Sequence, residues 1–95
     1  MLIVWDEPKR LENLRVHRLD FAHARDRFEF ADALIRPSYA GARGEPRFAA
    51  TGLLDGDLVT LVFSLLGSEA LSLISLRRAS RKERRLYGEH QTPDP

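Results

Sequence analysis

The sequence contains no cysteine. Disulfides, thiolate nucleophiles and cysteine-ligated zinc or iron–sulfur centres are therefore excluded, and the composition fits a reducing compartment such as the cytoplasm. Histidine occurs only three times. His17 and His23 do not sit in a metal-ligand spacing, so no metal and no other cofactor is expected. No apolar run approaches the roughly 20 residues of a membrane span. The opening Met1-Leu2-Ile3-Val4-Trp5 runs straight into Asp6-Glu7, without the basic flank or the length of a signal peptide. A Gly-rich phosphate loop, a Ser/His/Asp arrangement and a convincing acid–base pair of carboxylates are all missing. Net charge is nearly missing too: 15 Lys+Arg against 14 Asp+Glu leave a formal +1.

What remains is one small domain. Ninety-five residues leave no room for a second core, and folding at this size buries only roughly 60–65% of the unfolded chain's surface. Hydrophobic content of 43% and charged content of 31% suit a globular protein. Leu2–Trp5 reads as a short buried strand. Asp6 caps a first helix with Glu7 and Pro8 in its first turn, and Leu11 and Leu14 recur on one face. A second helix is predicted from Asp20 to Phe28 or Phe30, then a short strand over 33–36 ended by Pro37 and a Gly/Pro-rich loop over 38–46. Three apolar segments follow, 47–53, 58–65 and 70–76. Asp55-Gly56 predicts a tight type I′ hairpin between the first two, and Gly67-Ser68 a weaker turn between the last two. Ser80 and Glu83 form a capping box for a closing helix of about two turns, with Leu86 and Tyr87 turned to the sheet. The fold class is thus α+β: an N-terminal strand and two helices, an antiparallel meander, and a short C-terminal helix. One domain spans residues 1–90, with a flexible tail over 91–95.

The charge is unevenly placed. Residues 77–85 hold six cations (Arg77, Arg78, Arg81, Lys82, Arg84, Arg85) and one carboxylate. A concentrated basic end on a nearly neutral chain suits an extended polyanion such as RNA. Arg77 and Arg78 close the last predicted strand. Alternation puts Arg77 on a face with Leu73 and Ser75, and Arg78 with Ile74 and Leu76. As guanidinium groups they suit phosphate; the plainer alternative is a solvated strand end with ion pairs to Glu83 and Asp57. The helix cations are equally readable as a solvated face. Glu45 and Arg47 flank Pro46 where the sheet begins, and a surface ion pair is their simplest reading. His17 has the side chain suited to proton transfer near neutrality, though a histidine ending a helix also serves as a cap. Trp5 is expected in the core.

Taken together these segments resemble the BrnT family of toxin ribonucleases from bacterial type II toxin–antitoxin pairs. The opening Trp-Asp-x-x-Lys-x-x-x-Asn-x-x-x-His-x-x-x-Phe is present as Trp5, Asp6, Lys9, Asn13, His17 and Phe21. Glu-x-Arg-Phe is Glu45, Arg47 and Phe48, followed by Gly52. The closing Ile-Ser-x-Arg-x-Ala and Glu-Arg-x-x-Tyr are Ile74, Ser75, Arg77, Ala79, Glu83, Arg84 and Tyr87. The resemblance implies a RelE-like fold and metal-independent RNA cleavage, in which the 2′-hydroxyl attacks the adjacent phosphate and cationic side chains stabilise the developing charge. It implies a catalytic set of Arg77, Arg47 and His17; the basic run itself puts Arg78 beside Arg77 and, with Lys9, gives Arg81, Lys82 and Arg84 as RNA contacts. It also implies a cognate BrnA-like ribbon-helix-helix antitoxin, a dimer or a heterotetramer with that antitoxin, and contact with operator DNA only through it.

Four positions depart from the family pattern: Val16 and Arg18 around His17, Leu66 before the last strand, and Ser72 within it. Val16, Leu66 and Ser72 stand where the family commonly has cations. A second function class therefore stands beside the first, a degenerate toxin that pairs with its antitoxin and serves operon repression without catalysis. A third, inhibition of a protein target, is open to any fold that hosts several functions.

Overall fold

The computed structural model describes residues 1–91. The chain runs β1 (Leu2–Trp5), α1 (Glu7–His17), α2 (Phe21–Arg27), a 3-10 turn (Phe30–Asp32), β2 (Leu34–Pro37), β3 (Arg47–Leu54), β4 (Asp57–Leu66), β5 (Ala70–Arg78) and α3 (Arg81–Gln91). Local chemistry sets most boundaries. The Asp6 carboxylate accepts from the Lys9 N–H at the start of α1, and Asp20 accepts from the Ala22 N–H at the start of α2. Asp55 and Gly56 take φ of 51° and 85°, the two positive angles a type I′ turn requires. The hairpin pairs β3 and β4 antiparallel, and β4 and β5 pair the same way, as the meander predicts. Ser80 and Glu83 exchange both capping bonds, Glu83 N to Ser80 Oγ at 3.2 Å and Ser80 N to Glu83 Oε1 at 2.8 Å.

The five strands lie in the order β1-β5-β4-β3-β2. The sheet extends beyond the expected antiparallel meander: β2 adds antiparallel to β3, and β1 pairs parallel with β5, so the whole sheet is mixed. A parallel neighbour needs a long crossover, and the whole chain from α1 to β4 supplies it. The expectation of a buried first strand is corrected here: β1 is an edge, and Leu2 is exposed. The opposite edge is β2, which tolerates Pro37 within it because an edge strand has ladder donors to spare.

One face of the sheet carries the core. Ala50 and Leu54 of β3, Val59, Leu61 and Phe63 of β4, and Leu71, Leu73 and Leu76 of β5 form one cluster with Phe21, Ala24 and Phe28. Gly52 sits in that face without a side chain because a Cβ there would stand 3.0 Å from the Phe28 ring and from Ala33. Trp5 is half-buried, packed edge-on to Phe21 with ring centroids 6.3 Å apart. The opposite face presents Arg36, Thr51, Thr60 and Arg77, and α3 lies over it.

Two departures matter for the site. The pairing slips between Val62 and Phe63, so that Ser75 and Leu73 are their partners and Ile74 has none. This bulge lets Leu73 and Leu76 share the core face, and Arg77 falls on the other one; strict alternation had put Arg77 beside Leu73. In α1 the expected apolar stripe is also wrong: Leu11 is 55% exposed, and the buried residue is Asn13. The reason lies in the sheet edge. β1 covers β5 only from Ala70 to Leu73, leaving Leu76, paired with Leu61 on one side, without a strand on the other. Asn13 takes that place. Its Oδ1 accepts from the Leu76 N–H at 3.0 Å, while Nδ2 donates to the Leu76 carbonyl at 2.9 Å and the Leu19 carbonyl at 3.0 Å.

Helix α2 ends at Arg27, earlier than expected, because Phe28 turns extended to enter the core. Helix α3 has 11 residues, longer than the expected two turns. Tyr87 is buried beneath it and Gln91 donates to the Asp32 carbonyl at 2.9 Å. The predicted tail lies outside the described residues from position 92 on. Among the described residues, no helix is long and apolar enough to cross a membrane.

Candidate active site

Two hollows flank the C-terminal half of β5. The first, of about 460 Å³, lies on the α3 face and is lined by Arg36, Tyr39, Ala49, Val62, Arg77 and Glu83. The second, of about 310 Å³, lies between α1 and β5 and is lined by Lys9, Asn13, His17, Val16 and Ser75 among others. They have no lining residue in common.

The first hollow is organised by Glu83. The capping box fixes its backbone and one oxygen, and the side chain turns inward to meet Arg77 in a two-pronged ion pair. Arg77 Nη1 donates to Oε1 at 2.7 Å and Nη2 to Oε2 at 2.9 Å. Arg36 approaches the same carboxylate more loosely, at 3.3 Å, and Thr51 at 3.4 Å. The bonds from Arg77 hold the Glu83 carboxyl down to about 2, against the opposing effect of its burial. Arg77 is correspondingly held charged.

This depressed value has a consequence for acid stability. A carboxylate favoured in the folded state contributes stability that is present above about 4.5, its ordinary value, and is lost as the pH falls toward 2. The shift corresponds to something on the order of 3 kcal/mol. The difference in urea stability between the parent and Glu83→Gln should therefore be largest at pH 5–7 and shrink steadily below 4.5. A difference that stays constant down to pH 2.5 would show that the ion pair contributes nothing.

The remaining expected site residues divide between the hollows. Arg47 stands on the face of Arg77, in the row Arg47–Ser64–Ser72 across β3, β4 and β5. It is about one-quarter exposed, bonded to Glu45 at 3.4 Å, with its Nε buried and unpaired. Arg78 is exposed at the end of β5, 3.8 Å from Asp57. His17 and Lys9 face the second hollow, and the His17 ring has no hydrogen-bond partner among the described residues. Arg81, Lys82 and Arg84 lie exposed along the outer side of α3, with no ion pair among the described residues. The structure thus brings Arg77 and Arg47 to one face and does not bring His17 to it. Arg36 is the residue the sequence reading missed. Its only signal was its place in a short strand before Pro37, which says nothing about charge.

The comparisons with known proteins can be set against this geometry. Residues 5–83 match the family model described as "Ribonuclease toxin, BrnT, of type II toxin-antitoxin system". The chain belongs to the BrnT family. A solved relative is the Brucella abortus ribonuclease toxin BrnT, 41% identical over 85% of this chain and 99% of its own, with a TM-score of 0.70. No curated protein matches the chain. Membership of a type II system implies an antitoxin partner.

The four departures from the BrnT pattern now have places. Val16 is exposed in the His17 hollow, and Leu66 is exposed at the end of β4. Ser72 removes a cation from the Arg47 row. Arg18 takes φ 60°, the left-handed position after a helix that glycine fills without strain, and holds it with its N–H bonded to the Leu14 carbonyl.

Proposed function

We propose that this chain is an endoribonuclease toxin acting in the cytoplasm, which cleaves RNA without a metal and is neutralised by a BrnA-like ribbon-helix-helix antitoxin. In this reading the fold is RelE-like, and operator DNA is reached only through the antitoxin, in a dimer or a heterotetramer with it. The observation that carries the reading is the state of Arg77. An arginine has five N–H donors, and Glu83 takes one from each terminal nitrogen of this one. Nη1 also reaches the Arg78 carbonyl, at 3.4 Å, and the Nε–H and the outer Nη2–H remain, side by side on a guanidinium held by a carboxylate behind it. That edge suits two oxygens of a phosphate. Attack by a 2′-hydroxyl on the adjacent phosphorus builds negative charge on those oxygens as the 5′-oxygen leaves, and a fixed cation stabilises it without reorganising.

Arg47, in the same face, is the second cation of the set; Arg78 follows Arg77 at the strand end with its side chain on the other face, near Asp57. His17 is the proton-transfer candidate. Its hollow is separate, so the RNA would have to cross the end of β5 to meet both. Lys9, Arg81, Lys82 and Arg84 hold the flanking backbone. Purified protein should cleave single-stranded RNA in the presence of EDTA, leaving a 2′,3′-cyclic phosphate and a 5′-hydroxyl. Arg84→Ala should lower activity by less than about tenfold, through salt-dependent affinity. A pH–rate profile that keeps its shape in His17→Ala removes His17 from proton transfer.

A second reading, an antitoxin-binding module without catalysis, is favoured by the same Glu83 contact, which occupies one fork of Arg77, and by the cations replaced at Val16, Leu66 and Ser72. Expression alone and with the neighbouring reading frame separates the two. Growth arrest with RNA cut in cells supports the first; stable co-purification without arrest supports the second. Arrest with intact RNA would point to a protein target.

A further inference from the structure

The two arginines on Glu83 are held in different ways. Arg77 makes two short bonds through two nitrogens. Arg36 makes two long contacts, 3.3 Å to Glu83 and 3.4 Å to Thr51, both through the single nitrogen Nη2. Its Nε is buried with no partner. A guanidinium in that condition is under-satisfied, because a buried donor left unpaired costs more than an average hydrogen bond returns. Turning it into the hollow would exchange two weak contacts for short, charge-assisted ones to an anion. Glu83 keeps Arg77 when Arg36 leaves, so the movement strips no carboxylate of its only counter-ion.

The same hollow has an aromatic wall. Tyr39 is 93% exposed, three residues after Arg36. Its place is set by the end of β2: Pro37 closes the strand, and the Ser38 N–H bonds the Arg47 carbonyl at 2.8 Å. A large ring left in water gains little by packing against the protein, but offers a face on which a base can stack. A phosphate and its neighbouring base are what a cation and an exposed ring in one hollow can take together.

We propose that Arg36 and Tyr39 form a nucleotide subsite beside Arg77, in which Arg36 takes the phosphate of a residue flanking the cut and Tyr39 stacks on its base. The proposal rests on the reading of this hollow as an RNA site. It divides the labour between the two arginines: Arg77 is fixed for the reacting phosphate, and Arg36 moves to hold the next one.

The test is binding of a fluorescent single-stranded hexanucleotide with 2′-O-methyl sugars, which cannot undergo 2′-hydroxyl attack. Affinity is followed against salt. Arg36→Ala should reduce the slope of log affinity on log salt by about 0.7, the loss of one phosphate contact on a single strand. Arg36→Lys should restore the slope. Tyr39→Ala should weaken binding about tenfold with the slope unchanged, and Tyr39→Phe should bind as the parent does. Since Tyr39 is exposed, its variants test the subsite without disturbing the fold. Thermal melts identify any Arg36 variant that unfolds. Parent-like affinity and slope in both alanine variants would overturn the subsite, as would an effect confined to antitoxin binding. Cleavage of unmodified RNA is measured in parallel. A parent that does not cleave, with the variant effects on the hexanucleotide present, removes the ribonuclease reading and leaves the subsite standing. Normal cleavage in both variants with unchanged binding does the reverse.

Discussion

Asn13→Ala is expected to lower the unfolding free energy by about 3–5 kcal/mol, because it leaves three backbone groups without partners at a cost of roughly 1–3 kcal/mol each. The groups are the N–H and carbonyl of Leu76 and the carbonyl of Leu19. Leu76 is fully buried, so water does not replace the lost bonds readily. Single domains have only about 5–15 kcal/mol in total, and one of this size sits toward the lower end. Asn13→Asp makes the point more sharply. It keeps the acceptor for the Leu76 N–H but turns the donor into a second carboxylate oxygen, facing two carbonyls. It should destabilise at least as much at neutral pH and recover partly below the carboxyl's own titration. Urea unfolding curves at pH 7 and pH 4 check both statements. A loss below 1 kcal/mol in Asn13→Ala would mean that the edge of β5 is closed by something other than this amide.

That amide also shows where the sequence stops being readable. Local signals were legible because they act within a few residues: the hairpin at Asp55-Gly56, the capping box of Ser80 and Glu83, the Asp6 and Asp20 caps. Each is a bond between near neighbours, so spacing alone reveals it. The parallel pairing of β1 with β5 joins residues almost 70 apart, and nothing in Leu2–Trp5 names a partner. The bulge at Ile74 is equally silent, since Ile-Ser-Leu reads as regular strand, yet it decides which face receives Arg77. Asn13 entered the sequence reading only as a position of the opening motif. Its work is to act as a missing strand, and that follows only once β1 is seen to end at Trp5. The candidate site shares this limit. Arg77 and Arg47 stood out as cations in motifs, whereas Arg36 reaches the hollow only through its pairing opposite Ala49. Glu83 was read as a cap and, separately, as an ion-pair partner of the strand-end arginines; one carboxylate does both at once.

The double duty of Glu83 shapes what losing Arg77 should do. If Arg77 stabilises the charge that builds on the reacting phosphate, removing it should cost roughly 3–4 kcal/mol of transition-state stabilisation, a fall of about 10²–10³ in rate. If it only holds substrate, KM should rise with kcat nearly unchanged. The first result is expected, from the rigidity that two bonds to Glu83 confer. Arg77→Ala will also unsettle Glu83, which keeps Arg36 as a weaker counter-ion, so a stability loss of about 1–3 kcal/mol should accompany the loss of rate. A fall in activity alone is therefore not decisive, and Arg77→Lys supplies the separation. Lysine keeps a positive charge against Glu83 but has no planar fork with which to meet carboxylate and phosphate together. It should recover most of the stability and little of the rate. The check is kcat and KM on a short RNA beside the thermal midpoint of each variant, with antitoxin binding as a measure of intact fold. Full activity in Arg77→Ala, or recovery of rate and stability together in Arg77→Lys, would make Arg77 no more than the counter-ion of a buried cap. Cleavage would then have to be built around Arg47 or His17.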